Sequence, residues 1–392
     1  MTLLKGGGAR FCVSTWFAIA MASGMFAQTA PSAETLPAPE QILSDMQRAN
    51  RYFMEKWPDP GEMIITDRAR PSNIWTRAVY YEGLMALYKI DPEPEYYDYA
   101  VAWGNAHHWE LGDGSRLLRN ADFQAAGQTY IDLYRIEPEP ERIRAIKAAI
   151  DAMMATDKVD DWNWIDAIQM AMPVFARLGV VYSDEAYFER MYEMYRFTRN
   201  EHGENGLFNA KDGLWWRDGD YDPPHVSPNG KNVYWSRGNG WVMMGLARVL
   251  DVIPEDAPHR DLYLEDFKAM ATALVPLQRS DGFWNVSLQD PDQFGGPETS
   301  GTAMFAYAMA WGMNQGILDE ATYRPVVARA WRALSQVALH PNGFLGYVQG
   351  TGANPAAGQP VTYHRRPDFE DYALGAFLLA GSEVYEMAKQ AR

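Results

Sequence analysis

Two aspartates lie at the start of apolar stretches, a position from which a carboxyl group could act as an acid. Asp166 follows Trp162 and Trp164. A carboxyl beside indole rings in a poorly hydrated cleft is harder to ionise, so its pKa rises and it can hold a proton near neutral pH. Asp122 opens the preceding apolar stretch. If the two helices are adjacent, both carboxyls lie at one opening, the usual arrangement for acid–base work on a glycosidic bond.

Each aspartate also has a structural interpretation. Asp160 or Asp161 could cap the helix that follows, while the carboxylate of Asp166 accepts a hydrogen bond from a neighbouring amide. Asp122 taken alone fits a helix N-cap. The pairing of the two carboxyls favours the catalytic interpretation of Asp122, whereas the residues by themselves leave both interpretations of Asp166 open.

A second group of residues has the chemistry to bind a sugar acid. In the block from Tyr234 to Trp241, two glycines permit a tight turn into a helix. Arg237 could then offer its guanidinium to a carboxylate, while Trp235 and Trp241 stack on a sugar face. A structural arginine at a loop-to-helix junction is the alternative.

Other candidates belong to a lid or a rim around the same opening. The predicted substrate-binding residues besides Arg237, Trp235 and Trp241 are Asn239, Trp164, Trp215, Trp216, Arg217, Lys231, Glu298, Thr299 and Ser300. The last three also fit a helix cap. Arg365, Arg366 and Asp371 either pair with one another or line the opening.

The elements that must position these residues are predicted to be helices in strict alternation. Six nearly apolar stretches rich in Ala, Gly and Met fit helices buried on every side: 74–90, 121–136, 162–178, 236–250, 299–312 and 369–385. Six more charged, amphipathic helices separate them: 40–57, 95–109, 139–155, 184–199, 261–278 and 320–338. This alternation predicts an all-α (α/α)6 toroid of six inner and six outer helices. Two ordinary helical domains are the alternative, but no suitable linker marks a boundary.

One end of such a toroid collects the N-termini of the inner helices, whose free N–H groups favour an anionic ligand. Three stretches of low periodicity, 201–234, 280–297 and 341–367, are predicted to insert loops around this end. The first is rich in Gly, Asn, Asp, Pro and Trp, so it predicts a hairpin-like lid.

Composition excludes several functions. The chain of 392 residues carries 51 Asp+Glu against 35 Lys+Arg, a formal charge of −16, which disfavours nucleic acid as a partner. A single cysteine, Cys12, excludes an internal disulfide and a thiolate metal site. The His and acidic residues show no metal-ligand spacing. We therefore expect neither metal nor cofactor, and the 14 Trp, 22 Tyr and 16 Phe suit a sugar ligand.

The N-terminus has the pattern of a secretory signal. Lys5 and Arg10 precede a short apolar stretch and then small residues. We predict a signal peptide at 1–27, a Pro-rich linker at 28–39 and a single catalytic domain at 40–392. The mature protein is expected to be periplasmic or secreted, without membrane insertion, as a monomer or weak dimer.

At these residues the sequence resembles the unsaturated rhamnogalacturonyl hydrolases of glycoside hydrolase family 105, and more distantly the unsaturated glucuronyl hydrolases of family 88. The resemblance runs from about Gln41 to Tyr385. Its most specific marks are Trp164-Ile-Asp166 followed by Met170, Trp235-Ser-Arg-Gly-Asn-Gly-Trp241, and Glu298-Thr-Ser-Gly-Thr302.

The resemblance implies an (α/α)6 barrel and the hydrolysis of a vinyl ether by hydration. Asp166 matches the family's acid/base aspartate, which protonates C4 of an unsaturated uronic acid and directs water to C5. Asp122 matches the carboxylate that holds ring hydroxyls, and Arg237 an arginine near the substrate. Many members carry a His-bearing aromatic run in the lid, where this chain has Leu214-Trp-Trp-Arg-Asp218. The contacts to the aglycone therefore differ, and the resemblance does not identify the preferred aglycone.

Three other functions fit parts of the sequence. An inverting glycosidase on saturated sugars would need two carboxyls about 6.5–9.5 Å apart. A sugar epimerase on the same toroid would need a catalytic histidine, and none is predicted at an inner-helix start. A sugar-binding protein without activity would use the aromatic residues and Arg237, but it would have no use for paired aspartates.

Overall fold

The computed structural model describes residues 35–65, 69–112, 118–364 and 371–390. Within them lie the helices α1 Pro39–Lys56, α2 Trp75–Ile90, α3 Pro94–Ala106, α4 Ala121–Gln124, α5 Ala126–Ile136, α6 Glu141–Met154, α7 Asp166–Tyr182, α8 Ala186–Asn200, α9 Ser236–Leu250, α10 Arg260–Leu274, α11 Pro291–Phe294, α12 Thr299–Asn314, α13 Glu320–Arg332 and α14 Asp371–Gln390. The strands are β1 Ile64–Ile65, β2 Ala69–Arg70, β3 Phe208–Asn209 and β4 Leu214–Trp215.

The helices form two concentric rings. In the inner ring, α2 contacts α4 and α5, which contact α7, and the ring continues through α9, α12 and α14 back to α2. The outer helices α3, α6, α8, α10 and α13 each pack against the inner helix that precedes them, and α1 packs against α14. This order confirms the predicted (α/α)6 toroid. All described residues belong to one compact unit.

Small residues allow the ring to close between its first and last inner helices. A Cβ atom on Gly375 would lie 2.0 Å from the carbonyl oxygen of Val79, and one on Gly83 would lie 2.4 Å from that of Gly375. Glycine is therefore required where α2 crosses α14. The inner helices are apolar on all sides because they are covered on all sides: every residue of α9 is buried.

Two predicted inner helices differ from those observed. The helix expected at 121–136 is divided into α4 and α5 at Ala125. The helix expected to start at Trp162 starts at Asp166, because the residues before it pair with the lid instead: Trp164 forms a β-bridge with Asp218. Of the final predicted helix, 369–385, the first two residues lie outside the described residues.

The predicted lid contains the expected hairpin. Strand β3 pairs antiparallel with β4, with Phe208 opposite Trp215. The Asn239 side chain at the start of α9 holds this hairpin, since its Oδ1 accepts from the N–H of Trp215 at 2.8 Å and its Nδ2 donates to the Trp215 carbonyl at 3.0 Å. The hairpin is thereby fixed over the N-terminal end of the inner ring.

The predicted signal peptide and most of the predicted linker lie outside the described residues. The last linker residue, Pro39, is the first residue of α1. In the part of the chain that the structure describes, no helix has the length and apolar character needed to cross a membrane.

Candidate active site

The two aspartates predicted to be catalytic are on helices that pack together. Asp122 is the second residue of α4, and Asp166 is the first residue of α7. Asn120, rather than Asp122, caps α4, because its side chain accepts the N–H of Asp122 at 2.8 Å. No side chain caps α7, whose N-cap residue is Ile165. Both carboxyls are therefore spared from helix capping.

The pKa values of both carboxyls are shifted upward. Burial and, to a smaller extent, the charge of Asp166 together raise the pKa of Asp122 to about 7, against the opposing charge of Arg217. Burial also raises the pKa of Asp166, against Arg217 and Arg237. The side chain of Asp166 is 13% exposed, and its buried Oδ1 has no hydrogen-bond partner among the described residues. Two such coupled carboxyls titrate as a pair and retain one proton near neutral pH.

Arg217 supplies a positive charge to this pair. Its Nη2 lies 3.6 Å from Oδ2 of Asp166, and its Nη1 donates to the carboxylate of Asp218. The N–H of Ile165 donates to the carbonyl of Arg217 at 2.9 Å, which places the lid strand beside the start of α7. The Arg217 side chain is 18% exposed. A cation in this position can bind an anionic group of a ligand next to Asp166.

Arg237 is engaged by the protein itself. Its Nη atoms donate to three carbonyls in the loop 349–352 at 3.0–3.2 Å, and Nη1 donates to the hydroxyl of Tyr372 at 2.7 Å. Its guanidinium carbon lies 4.4 Å from the ring centre of Trp235, and the residue is 1% exposed. The charge of Arg237 still reaches Asp166, but its hydrogen bonds fasten the loop to the start of α9.

Most of the predicted aromatic residues form the interior of the site wall. Trp235, Trp241 and Trp215 are at most 1% exposed, and Trp216 is 6% exposed. Their ring faces are covered in this structure, which disfavours direct stacking of a sugar on Trp235 or Trp241. Trp164 is only partly buried and lies two residues before Asp166. It is therefore the predicted tryptophan with the best access to a ligand.

The polar candidates divide into two kinds. Glu298 is the N-cap of α12, accepting from the N–H groups of Ser300 at 2.9 Å and Gly301 at 2.7 Å. The Thr299 hydroxyl donates to the Gly346 carbonyl at 2.7 Å. Glu298, Thr299 and Ser300 are fully buried, in keeping with the cap interpretation. Lys231, by contrast, is exposed in the lid segment.

Other residues of the site were not singled out from the sequence. Tyr372 bonds to Arg237, and Gln349 accepts from the indole N–H of Trp235 at 2.8 Å. Tyr372 directly follows the candidate residue Asp371 at the start of a predicted inner helix, so the sequence pointed to its neighbourhood. Gln349 lies in a loop without periodicity, and no sequence pattern indicated its position.

The last predicted cluster is only partly described. Asp371 forms an ion pair with Nε of Arg77 on α2 at 3.0 Å, and both side chains are buried. Arg365 and Arg366 lie outside the described residues. Within the described residues, no group of three or more His, Cys, Asp or Glu side chains is arranged to hold a metal ion.

A helical toroid with two partly buried carboxyls of raised pKa, one of them beside an arginine, fits a glycoside hydrolase. The sequence model of Glycosyl Hydrolase Family 88 matches residues 45–388, and the chain belongs to this family. Two relatives are described as unsaturated 3S-rhamnoglycuronyl hydrolases. The one from Formosa agariphila is 33% identical over 80% of this chain and 84% of its own length. The one from Alteromonas sp. is 38% identical over 81% and 79%.

Solved structures agree on the fold. One, described as a polysaccharide lyase, is 33% identical with a TM-score of 0.81, covering 90% of this chain and 98% of that one. A family 105 hydrolase from C. acetobutylicum shares the fold at 19% identity and a TM-score of 0.68, covering 87% and 99%. The family model and the two hydrolase relatives confirm the predicted relationship to family 88 and the predicted class of enzyme, and the family 105 structure confirms the shared fold.

Proposed function

We propose that the protein removes a 4,5-unsaturated uronic acid from the non-reducing end of oligosaccharides produced by polysaccharide lyases. The observation that carries this proposal is the pair Asp122 and Asp166: burial raises the pKa of both carboxyls, and the charge of Asp166 helps to raise that of Asp122 to about 7. Protonation of a carbon–carbon double bond needs an acid of this kind. The names of two relatives, unsaturated 3S-rhamnoglycuronyl hydrolases, support the same substrate class.

The proposed reaction is hydration of the vinyl ether. Asp166 donates its proton to C4, and positive charge develops at C5 and the ring oxygen. Water adds at C5 and returns a proton to the Asp166 carboxylate. The resulting hemiketal opens to a ketone at C5, which leaves a hemiacetal at C1 that releases the aglycone. Asp122 binds ring hydroxyls and shares the proton of the pair.

Arg217 is the proposed partner of the substrate carboxylate. The carboxylate is attached at C5, next to the carbon that Asp166 protonates, so its cation must lie close to Asp166. Arg217 meets this condition at 3.6 Å and is 18% exposed, whereas Arg237 is 1% exposed and bonded to the loop 349–352. Arg237 is proposed to act on the site only through its charge, which favours the ionised form of Asp166 without contact to the substrate.

The proposed aglycone is a rhamnose sulfated at O3, as in ulvan-type fragments. The support is the term 3S-rhamnoglycuronyl in the names of the two relatives, together with the exposed cation Lys231 in the lid. A sulfate gains from a cation at the rim of an otherwise acidic protein. We also propose that the chain is exported to the periplasm or beyond and acts as a monomer or weak dimer.

Ultraviolet absorbance tests the reaction. The conjugated C4=C5 carboxylate absorbs, and hydration abolishes this absorbance. Purified protein is mixed with lyase digests of ulvan, rhamnogalacturonan, pectin and glycosaminoglycans, with Asp166→Asn as the control. We expect absorbance to fall fastest on the ulvan digest and to stay constant with the variant.

Other outcomes identify other functions. The relative described as a polysaccharide lyase makes β-elimination the second candidate. A rise in absorbance on intact polysaccharide would show elimination and contradict the proposal. Reducing sugar released from saturated substrates without an absorbance change would indicate an inverting glycosidase. Binding without any turnover would indicate a sugar-binding protein.

A further inference from the structure

A two-pronged ion pair joins the segments that lead into the two catalytic helices. Arg119 lies three residues before Asp122, and Asp161 lies five residues before Asp166. Nε of Arg119 donates to Oδ1 of Asp161 at 3.0 Å, and Nη2 of Arg119 donates to Oδ2. A fork of this kind fixes both the distance and the angle between its two anchor points.

The position of the segment that carries Asp122 depends more on the ion pair between Arg119 and Asp161 than the position of the segment that carries Asp166 does. Helix α4 has four residues and is joined to α5 only through Ala125, so Asp122 lies in the first turn of a helical stretch that is interrupted at Ala125. Its start is shaped locally by the Asn120 cap and by Gln124, whose Nε2 donates to the Leu118 carbonyl at 2.7 Å. These bonds shape the turn, and α4 packs against α7. The fork between Arg119 and Asp161 adds a polar contact of fixed length between the segments that precede the two helices.

The segment that carries Asp161 is anchored independently. The hydroxyl of Thr198 on α8 donates to the carbonyl of Trp162 at 2.6 Å, and Ile165 bonds to the lid at Arg217. The side chain of Asp161 is 7% exposed, against 32% for Arg119. Asp161 is therefore a fixed, largely buried acceptor, and Arg119 ties α4 to it.

We propose that Arg119 is a positioning residue that, through Asp161, sets the separation of the catalytic carboxyls Asp122 and Asp166. This inference rests on the proposed function for its consequence in turnover, but the geometric claim stands apart from it. Without the bridge, α4 keeps its packing against α7 but loses the polar contact that fixes its register there, so Asp122 shifts relative to Asp166. A displacement of about 1 Å at a catalytic group can cost about 100-fold in rate.

The ion pair can be removed without leaving the buried carboxylate of Asp161 unpaired. Nζ of Lys158 lies 3.5 Å from Oδ1 of Asp161, so the carboxylate keeps a positive neighbour when Arg119 is replaced. The test variant is Arg119→Gln, and Arg119→Lys keeps the charge but has no fork. The matched control is Arg144→Gln, since Arg144 pairs with Glu110 at 3.0 Å on the exposed surface.

The kinetic readout separates positioning from folding. For Arg119→Gln we expect kcat on the lyase digest to fall by about 10- to 100-fold with little change in KM. Asp122 faces Asp166 and Arg217, so a wider separation weakens the repulsion that favours its neutral form. The alkaline limb of the pH–kcat profile should therefore move to lower pH, with Arg119→Lys intermediate and Arg144→Gln unchanged.

A titration without substrate makes the inference independent of the proposed function. Carboxyl carbons of labelled aspartate are followed by NMR against pH, and the two signals of the pair are assigned with Asp122→Asn and Asp166→Asn. We expect the coupling between the two titrations to weaken in Arg119→Gln. Wild-type coupling together with a wild-type kcat and pH profile would overturn the inference, even if thermal stability falls. Absence of turnover in the wild type would overturn only the proposed function.

Discussion

Nη2 of Arg217 lies 3.6 Å from Oδ2 of Asp166, so the proposed acid stands next to a permanent cation. A cation at this distance favours the ionised carboxylate, and burial must outweigh it for the pKa of Asp166 to be raised. Asp218 acts on the pKa of Asp166 in the same direction as burial, because a nearby carboxylate disfavours ionisation, while Arg237 acts in the same direction as Arg217. Asp122 belongs to the same site, since the charge of Asp166 helps to raise the pKa of Asp122.

Replacing Asp166 by Asn tests the acid itself. The amide keeps the shape of the side chain but has no proton to donate to C4. We expect kcat to fall by about 100- to 10,000-fold, while the affinity for the unsaturated oligosaccharide stays within a few-fold. Stopped absorbance assays give kcat, and calorimetric titration gives the affinity. Turnover equal to the wild type in a folded variant would refute the assignment of Asp166.

Asp122 and Arg217 should move the pH profile in opposite directions. Turnover requires the protonated pair, so activity is lost as pH rises through its pKa. Asp122→Asn removes the carboxyl whose pKa is raised to about 7, and with it the proton that the pair shares, so the alkaline limb shifts to lower pH. Arg217→Gln removes a positive neighbour and shifts that limb to higher pH. The measurement is kcat against pH for the three proteins, and shifts in the same direction would contradict the electrostatic account.

The two arginines near the site should differ in what they support. Arg217→Gln should raise KM for the unsaturated substrate with little loss of stability, because the side chain is partly exposed and faces the proposed ligand position. Arg237→Gln should cost about 2–4 kcal/mol of unfolding free energy, because three carbonyls and a hydroxyl lose a buried charged donor. Denaturant unfolding and steady-state kinetics on both variants check this. A stable Arg237→Gln with a raised KM would instead restore Arg237 as the substrate-binding arginine.

The ring of helices could be predicted from sequence because its signal is local. The stretch 236–250 is nearly apolar all round, and it forms the inner helix α9 over those same residues. The start of α7 could not be placed, because Trp164 pairs with Asp218 and the N–H of Ile165 donates to the carbonyl of Arg217, contacts between residues distant in sequence. The local sequence pattern does not indicate which distant residue a segment will pair with.

The candidate site shows the same division. Asp122 and Asp166 were recognisable from their position before apolar helices, and the helices bring them to one opening. The role of Arg237 was not predictable in full, because the carbonyls it binds lie in the loop 349–352, more than a hundred residues further on. Its residue type suggested a carboxylate ligand, whereas the fold supplies backbone carbonyls.

Glu82 and Arg248 cross the axis of the toroid between opposite inner helices, α2 and α9. Nε of Arg248 lies 3.2 Å from Oε2 of Glu82, and Nε2 of Gln169 on α7 donates to the same oxygen at 2.8 Å. Both charged side chains are buried. Glu82→Ala leaves Arg248 without its carboxylate, so we expect a loss of about 3–5 kcal/mol in unfolding free energy. Glu386→Gln, at an exposed pair with Lys389, is the control and should be neutral.

The stability contributed by Glu82 should also depend on pH. Burial raises the pKa of Glu82 from 4.5 to about 7, against the attraction of Arg248 and Arg177. Between these two values the folded protein binds more protons than the unfolded chain, so this contribution is full below about pH 4.5 and is lost as pH rises through about 7. Glu82→Gln cannot titrate and should remove that slope. The unfolding free energies of wild type and Glu82→Gln should therefore run closest at the acidic end, where Glu82 is protonated, and separate as pH rises towards about 7. Parallel curves would show that folding does not raise the pKa of Glu82.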